Sequence, residues 1–179
     1  MKRKFVTNLP RIFRLYNLNL YKWSKSNSEI TTDLNYSFER ITTENLKLIS
    51  DISNEKICNF QKMLSWGDYG VFIFVNGKPV GYGWAKCKES RDYFFNIGEV
   101  CYLCRFYINS DFRGHNLYPM TIKHLIEQFS KQYNDIYIAV DPANIPSIRG
   151  VMKLNFEFVS VLRFMRFLKI TFRKFKLEK

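Results

Sequence analysis

Histidine and cysteine are scarce in this sequence: only His115 and His124, and only Cys58, Cys87, Cys101 and Cys104. That leaves little from which to build a metal centre, and no metal is expected. Cys101-Tyr-Leu-Cys104 has the C-x-x-C spacing of a redox or zinc half-site, but it has no second pair. It also lies in an apolar, strand-like run, where residues three apart point to opposite faces. It therefore reads as two small buried thiols. No apolar run reaches the roughly 18 residues that a membrane span requires. Met1-Lys2-Arg3-Lys4 is basic like the first segment of an export signal, yet Phe5-Val6-Thr7-Asn8-Leu9-Pro10-Arg11 is too polar for its core. The expectation is a cytoplasmic protein. Internal repeats and low-complexity linkers are absent as well.

Acidic residues are missing from one end of the chain and nearly so from the other. Residues 1–25 carry seven Lys or Arg and no Asp or Glu, and residues 161–179 carry seven Lys or Arg and one Glu. Between them, residues 26–160 hold 14 basic and 15 acidic side chains. The formal net charge of +12 thus belongs to a basic N-terminal segment and a basic C-terminal strand or tail, on a nearly neutral body. Two readings stand: solvated faces without a partner, or a surface for anionic lipid head groups or other polyanions, at the inner face of a membrane. A nucleic-acid binder is disfavoured, because the body is neutral and no recognition motif is present.

What is plentiful is core material. Hydrophobic residues make up 46% of 179 residues, with 17 Phe and 11 Tyr, so the chain is one globular domain over 1–179. Apolar spacing over 2–16 is roughly helical, interrupted by Pro10, and a strand is expected around 18–24. A short extended piece covers 38–41. Thr42 or Thr43 caps a helix carrying Leu46, Ile49 and Ile52, and Asn54 caps a second helix to about Ser65. Tyr69–Val75, the turn Asn76-Gly77 and Val80–Lys86 form a hairpin. A loop over 88–96 precedes a strand at Val100–Ile108. A helix follows at 121–132, then a strand at Asp135–Val140, a helix at 146–154 opened by Pro146, and an extended segment at 159–170.

The strand, turn, helix and strand between Cys101 and Val140 make a parallel crossover, whose turn follows the carboxyl end of a strand, where open α/β sheets bind ligands. The turn runs from Asn109 to Tyr118, with Pro119 opening the helix. A helix N-terminus presents unpaired N–H groups and partial positive charge. Arg113 adds a planar cation, Gly114 permits close backbone approach and φ > 0, and Asn116 is the side-chain-bearing residue best suited to the left-handed region. Together they suit a pyrophosphate.

Here the sequence resembles the GNAT superfamily of acyl-CoA-dependent N-acyltransferases, over roughly 42–167. Arg113-Gly-His-Asn116-Leu-Tyr118 is similar to that family's Gln/Arg-x-x-Gly-x-Gly/Ala. It matches at Arg113 and departs at Asn116 and Tyr118. Asn144, Lys153 and Phe156 keep register with the second motif, Asn-x-x-Ala-x-x-x-Tyr-x-Lys-x-Gly-Phe. The resemblance implies a mixed α/β (α+β) fold. Its central sheet would be mostly antiparallel, with six to seven strands, about four helices and the parallel crossover at the cofactor site. It implies acetyl-CoA as cofactor, with the pantetheine arm along Phe106, Tyr107 and Ile108. Arg113, Gly114, His115, Asn116, Leu117 and Tyr118 would surround the pyrophosphate, with His115 in phosphate or solvent contact and Tyr118 packed against the cofactor. Asn144 would touch the pantetheine arm, and Ser147 and Ile148 would line its thiol end.

The reaction implied is transfer of an acetyl or other short acyl group to a primary amine. The family's usual acid Tyr falls at Val151. Glu99 and Tyr102 are the catalytic candidates, reaching the amine directly or through water; the alternatives are an exposed strand-end carboxylate and a core aromatic. The acceptor region implied, 54–68 with 88–96, contains Trp66, Asp68, Tyr69, Arg91, Asp92, Tyr93 and Phe94. Those residues suit a small polar amine, such as an amino sugar in surface-glycan synthesis. A non-catalytic CoA-binding or scaffold protein on the same fold is the alternative. The oligomeric state stays open, a homodimer included.

Overall fold

The computed structural model describes residues 13–26, 28–91, 100–167 and 170–174. Eight strands form one sheet: β1 (Phe13–Trp23), β2 (Tyr36–Arg40), β3 (Tyr69–Val75), β4 (Lys78–Lys86), β5 (Val100–Ile108), β6 (Asp135–Val140), β7 (Phe156–Phe167) and β8 (Ile170–Lys174). Their spatial order is β2-β3-β4-β5-β6-β1-β7-β8. β5 and β6 are parallel and the other neighbouring pairs are antiparallel. Four helices flank the sheet: α1 (Ile49–Ile52), α2 (Ile57–Ser65), α3 (Leu117–Phe129) and α4 (Ile145–Met152). This is the mixed architecture expected, with the basic segment 170–174 adding an eighth strand at the edge.

The sheet is buried on both faces at its centre, so its strands read as nearly continuous apolar runs. In β3, Val71 points into the cluster beneath α3, while Phe72 points into the one beneath α1 and α2. Ile122, Leu125 and Ile126 are the α3 contribution to the first cluster. Phe60 and Met63 of α2, with Ile49 and Ile52 of α1, close the second over Tyr82 and Trp84. Fully burying each such side chain is worth about 1.5–3 kcal/mol. Asn76 and Gly77 both have positive φ, at 49° and 75°, which is the turn geometry that matches strand twist between β3 and β4.

Several expectations change. Phe13–Tyr16 belong to β1, paired with Phe164–Phe167 of β7, instead of ending a helix; the remainder of the expected helix lies outside the described residues. Apolar spacing near the helical period was outweighed there by a long antiparallel pairing. The first helix is preceded by a 3-10 turn at Leu46–Leu48. Asn45, not Thr42 or Thr43, organises this corner by accepting from the Thr42 amide at 2.8 Å. α2 begins at Ile57 without a side-chain cap from Asn54. α3 starts at Leu117, four residues earlier than the apolar stripe alone suggested. Cys101 and Cys104 do fall on opposite faces, in the α3 cluster and against the α2 cluster respectively.

Candidate active site

β5 and β6 pair only from Val100 to Leu103, against Asp135 to Ile138. Beyond Leu103 the two strands part. β5 stays with β4 as far as the Gly81–Ile108 pair, while β6 continues beside β1 to the Asn19–Val140 pair. The cause is a bulge. Arg105 has φ 50°, and the β4–β5 register shifts between Tyr82 and Trp84. A bulge bends its strand and sharpens the twist, which carries the end of β5 away from β6. Gly83 faces it, and a Cβ there would stand 2.5 Å from the Phe106 ring. Its bare backbone is what lets Phe106 turn inward. Among the described residues no strand pairs with the β6-facing edge of Phe106–Ile108. A cleft of about 480 Å³ opens along that edge.

One end of the cleft is the turn between β5 and α3. Asn109 accepts from the Asp111 amide and starts a 3-10 turn over Ser110–Phe112. Arg113 is extended, and its Nε donates to the Ile108 carbonyl at 3.1 Å, which holds the guanidinium beside the strand end. Gly114 has φ +90° and an ideal Cβ there would meet nothing within 4 Å, so the requirement is conformational, not steric. Asn116 is left-handed at φ 57°, and the first backbone bond of α3 runs from Met120 to the Asn116 carbonyl at 3.0 Å. The amides of Leu117 and Tyr118 precede that bond, and Pro119 has none to offer. They face the cleft as the positive end of a 13-residue helix.

Asn116 also explains how the motif survives without its usual glycine. Its Nδ2 donates to the Thr31 carbonyl at 3.0 Å and its Oδ1 accepts from Lys153 Nζ at 2.8 Å. Asn155, where the second motif has glycine, has φ 58°. Asparagine is the residue that tolerates this region best, so both departures preserve backbone shape. His115 stands beside the turn, its Nδ1 3.4 Å from Asp33 Oδ1, and is not part of the cleft wall.

The opposite wall is the start of α4. Asn144 caps it, accepting from the Ser147 amide at 3.2 Å, with Pro146 in the first turn. That uses the Asn144 oxygen, and Asn144 lines the cleft. Tyr118 reaches across from α3: its ring meets Phe106 edge-on at 5.4 Å and lies on Gly150, where a Cβ would be 2.7 Å from Cδ1. Burial pushes the Tyr118 hydroxyl up to about 12, with hydrogen bonding toward Ser147 pulling it slightly back. Val151, at the position of the family's acid, is fully buried and presents no polar atom to the cleft.

Of the residues singled out from sequence, Phe106, Tyr107, Ile108, Arg113, Gly114, Asn116, Leu117, Tyr118, Asn144 and Ser147 line one cleft. Phe112, Pro119, Pro146 and Lys153 line it too. Lys153 carried a signal, the register of the second motif; the others became visible only once the turn and α4 were folded against each other. Glu99 lies outside the described residues. Tyr102 is half-buried at the closed end of the split, opposite Tyr137, packed with Val100 and Leu20 on the face away from α3. It does not line the cleft.

The acceptor region also reads differently once folded. Asp68 is buried and bound to Lys86 Nζ at 2.9 Å and to the Ser90 hydroxyl, so it holds the β4–β5 loop in place. Tyr69 points to the α3 side, against Phe129. Trp66 is covered by Lys62 and Lys86. Asp92, Tyr93 and Phe94 lie outside the described residues. What borders the cleft on the α1–α2 side is instead Tyr107, stacked on Tyr82 at 5.7 Å. Burial raises the Tyr82 hydroxyl, Ser53 hydrogen-bonds to it, and the charges of Glu55 and Arg105 act on it from the α1–α2 turn and the bulge. No sequence pattern joined these residues.

The model for the acetyltransferase (GNAT) family matches residues 33–156. No curated protein matches the chain. Among solved structures, the chain is similar to AAC(6')-Iy in complex with a bisubstrate analog, CoA-S-monomethyl-acetylneamine: 14% identity, TM-score 0.57, 69% of this chain and 91% of that one. It is similar to a putative GNAT-family acetyltransferase from Novosphingobium aromaticivorans, at 9% identity and TM-score 0.63, over 88% of this chain and 69% of that one. It is also similar to meta-AAC0020, an aminoglycoside acetyltransferase from an uncultured soil sample solved with sisomicin, at 13% identity and TM-score 0.52, over 66% and 86%. At such identities the likeness is one of fold.

Proposed function

The chain belongs to the GNAT acetyltransferase family, whose members draw on acetyl-CoA, and from that premise we propose that it acetylates a primary amine on a small polar molecule, an amino sugar. The observation that carries the reading is the split between β5 and β6, which leads from the open edge of Phe106–Ile108 to the N-terminus of α3. An unpaired strand edge accepts an extended amide chain as a further strand would. The helix end with Arg113 and Lys153 accepts phosphate. Few ligands combine an amide-bearing arm with a pyrophosphate, and acetyl-CoA is one; its thioester supplies the activated acetyl group.

In this reading the residues of the chain mainly hold and orient. Arg113, fixed by the Ile108 carbonyl, and the Leu117 and Tyr118 amides set the anionic end. Asn144 and the β5 edge fix the arm. The acceptor approaches from the α1–α2 side, past the Tyr82–Tyr107 stack, with Glu55 as the acidic group that favours an ammonium there. Tyr107, half-buried and backed by the buried Tyr82, presents flat, amphipathic surface suited to a sugar ring. Two of the structurally similar enzymes were solved with amino-sugar compounds, which favours that substrate class. Work on surface glycans beside an anionic membrane is the setting that the basic residues within 1–25 suggest.

The test is calorimetric titration with acetyl-CoA, followed by a panel of amines in which thiol release is measured. Amino sugars and their nucleotide-linked forms should be acetylated ahead of polyamines, amino acids and lysine peptides. Acetylation confined to peptides would overturn the substrate class. Binding without transfer to any amine would favour a CoA-responsive binding protein, for which the sealed Val151 position already speaks.

A further inference from the structure

The open edge of β5 has two ends. It runs from the α3 turn back along Ile108, Tyr107 and Phe106 to the bulge at Arg105, and at Leu103 the strand is already paired with β6. An arm laid along that edge from the phosphate end therefore finishes at Arg105, and the acceptor meets it there. Arg105 is unlike its surroundings in three respects. Its φ is 50°, a left-handed value that a long side chain adopts only at a cost. At Asn76, Asn116 and Asn155 the chain meets the same backbone requirement with asparagine, which tolerates it best. The bulge dictates the backbone shape, but it does not dictate arginine. Arg105 is also exposed, and among the described residues it makes no hydrogen bond or ion pair. Lys25, the other cation in this conformation, binds Asn134 Oδ1 at 3.0 Å. Finally, Arg105 and Glu55, from the bulge and the α1–α2 turn, both act on the Tyr82 hydroxyl, yet they do not pair with each other. A cation and a carboxylate held apart beside the Tyr82–Tyr107 stack suit a ligand that carries both charges at separate positions.

Resting on the amino-sugar reading above, we propose that Arg105 binds a phosphate carried by the acceptor while Glu55 faces its ammonium, so that the preferred substrate is a phosphorylated amino sugar and Arg105 sets that preference. The guanidinium is always charged, and its planar fork meets two phosphate oxygens at once. A neutral sugar would leave it solvated and gain nothing from it. This phosphate is distinct from those of the cofactor, which lie at the other end of the open edge, beside Arg113 and the α3 amides. A sugar monophosphate and the diphosphate of a nucleotide-linked sugar present the same oxygens to the fork, and the choice between them is made by experiment.

The full chain is assayed by thiol release from acetyl-CoA with glucosamine, glucosamine phosphorylated at its primary or its anomeric hydroxyl, and uridine diphosphate-linked glucosamine. The readout is kcat/KM for each phosphate-bearing acceptor divided by that for glucosamine. In the wild type the best of these ratios should be about tenfold or more, and the acceptor that gives it identifies the source of the phosphate. Arg105→Asn, which accepts the left-handed backbone readily, should bring the ratio close to one, mainly through KM. Arg105→Lys keeps the charge without the fork and should retain part of it. Added salt should narrow the wild-type ratio. Glu55→Gln should lower kcat/KM for every acceptor, because the ammonium is common to all. A wild type indifferent to phosphate, or a ratio unchanged in Arg105→Asn, would overturn the Arg105 role and leave the amino-sugar reading standing. Weakened acetyl-CoA binding by Arg105→Asn in calorimetry would assign Arg105 to the cofactor and overturn it as well. A wild type that binds acetyl-CoA and acetylates none of these acceptors would overturn both readings.

Discussion

Lys153 Nζ donates to Asn116 Oδ1 across 2.8 Å, which ties the C-cap of α4 to the left-handed residue that opens α3. The same Asn116 side chain donates to Thr31, in the connection between β1 and β2. One asparagine therefore sets the turn's backbone and joins three parts of the chain around the anionic end of the cleft.

Asn116→Gly should keep coenzyme A affinity within a few-fold, because glycine adopts φ 57° freely and the amides stay in place. Asn116→Leu should lower stability by about 1–2 kcal/mol through the left-handed strain alone, in addition to losing both bonds. Lys153→Met keeps the stem and removes the charge, so it should weaken coenzyme A binding several-fold and flatten its dependence on salt. Urea melts and calorimetry at two ionic strengths separate these effects. Equal affinity for Lys153→Met at low salt would remove Lys153 from the site.

The buried pair Asp68–Lys86 predicts a different signature. Both side chains are almost wholly removed from water, and Ser90 completes the carboxylate's shell. Removing one partner strands a charge, so Lys86→Met should cost about 3–5 kcal/mol. Lys86→Met with Asp68→Asn should recover a good part of that loss. Denaturant midpoints of the single and double variants check this. A single variant as stable as the wild type would mean that water reaches Asp68.

β1 carries the third prediction. It lies between β6 and β7, hydrogen-bonded to both, although the family match begins only at residue 33. A chain lacking residues 1–23 loses both pairings, and Leu20 and Tyr21 leave the core with them. It should unfold without a cooperative transition, by circular dichroism on heating. Attraction to anionic vesicles therefore has to be tested by charge reversal at Lys2, Arg3 and Lys4, not by truncation. Vesicle binding unchanged by that reversal would move the polyanion surface elsewhere.

These contrasts mark what the sequence made legible. The β3–β4 hairpin and the β5–turn–α3–β6 unit were readable, because their signals are local: apolar runs, Asn-Gly, and an Arg-Gly turn before a helical stripe. Asn144 and Lys153 were readable only through the resemblance, whose second motif they keep in register. The insertion of β1 was not, since pairing partners more than a hundred residues apart leave no periodic trace. Asp68 looked like a ligand group because its partner Lys86 is 18 residues downstream. The Tyr118–Gly150 contact was hidden for the same reason, as each residue looked like an isolated departure from its own motif.

That contact also gives stability a pH dependence of known sign. Tyr118 holds its proton to about 12 when folded, against about 10 for a free tyrosine. Between those values the folded state binds more protons than the unfolded one, so stability falls as pH rises. The contribution is fully present below about pH 10 and lost through about pH 12, amounting to roughly 2–3 kcal/mol at most. Burial raises other tyrosines as well, Tyr133 among them, so the wild type alone is uninformative. The difference between the wild type and Tyr118→Phe isolates the term. The wild type should lose more stability than the variant between pH 10 and 12, by urea melts at fixed ionic strength. Parallel losses would show that the phenol reaches water and ionises as freely folded as unfolded, and that the Tyr118–Gly150 contact does not seal it from solvent.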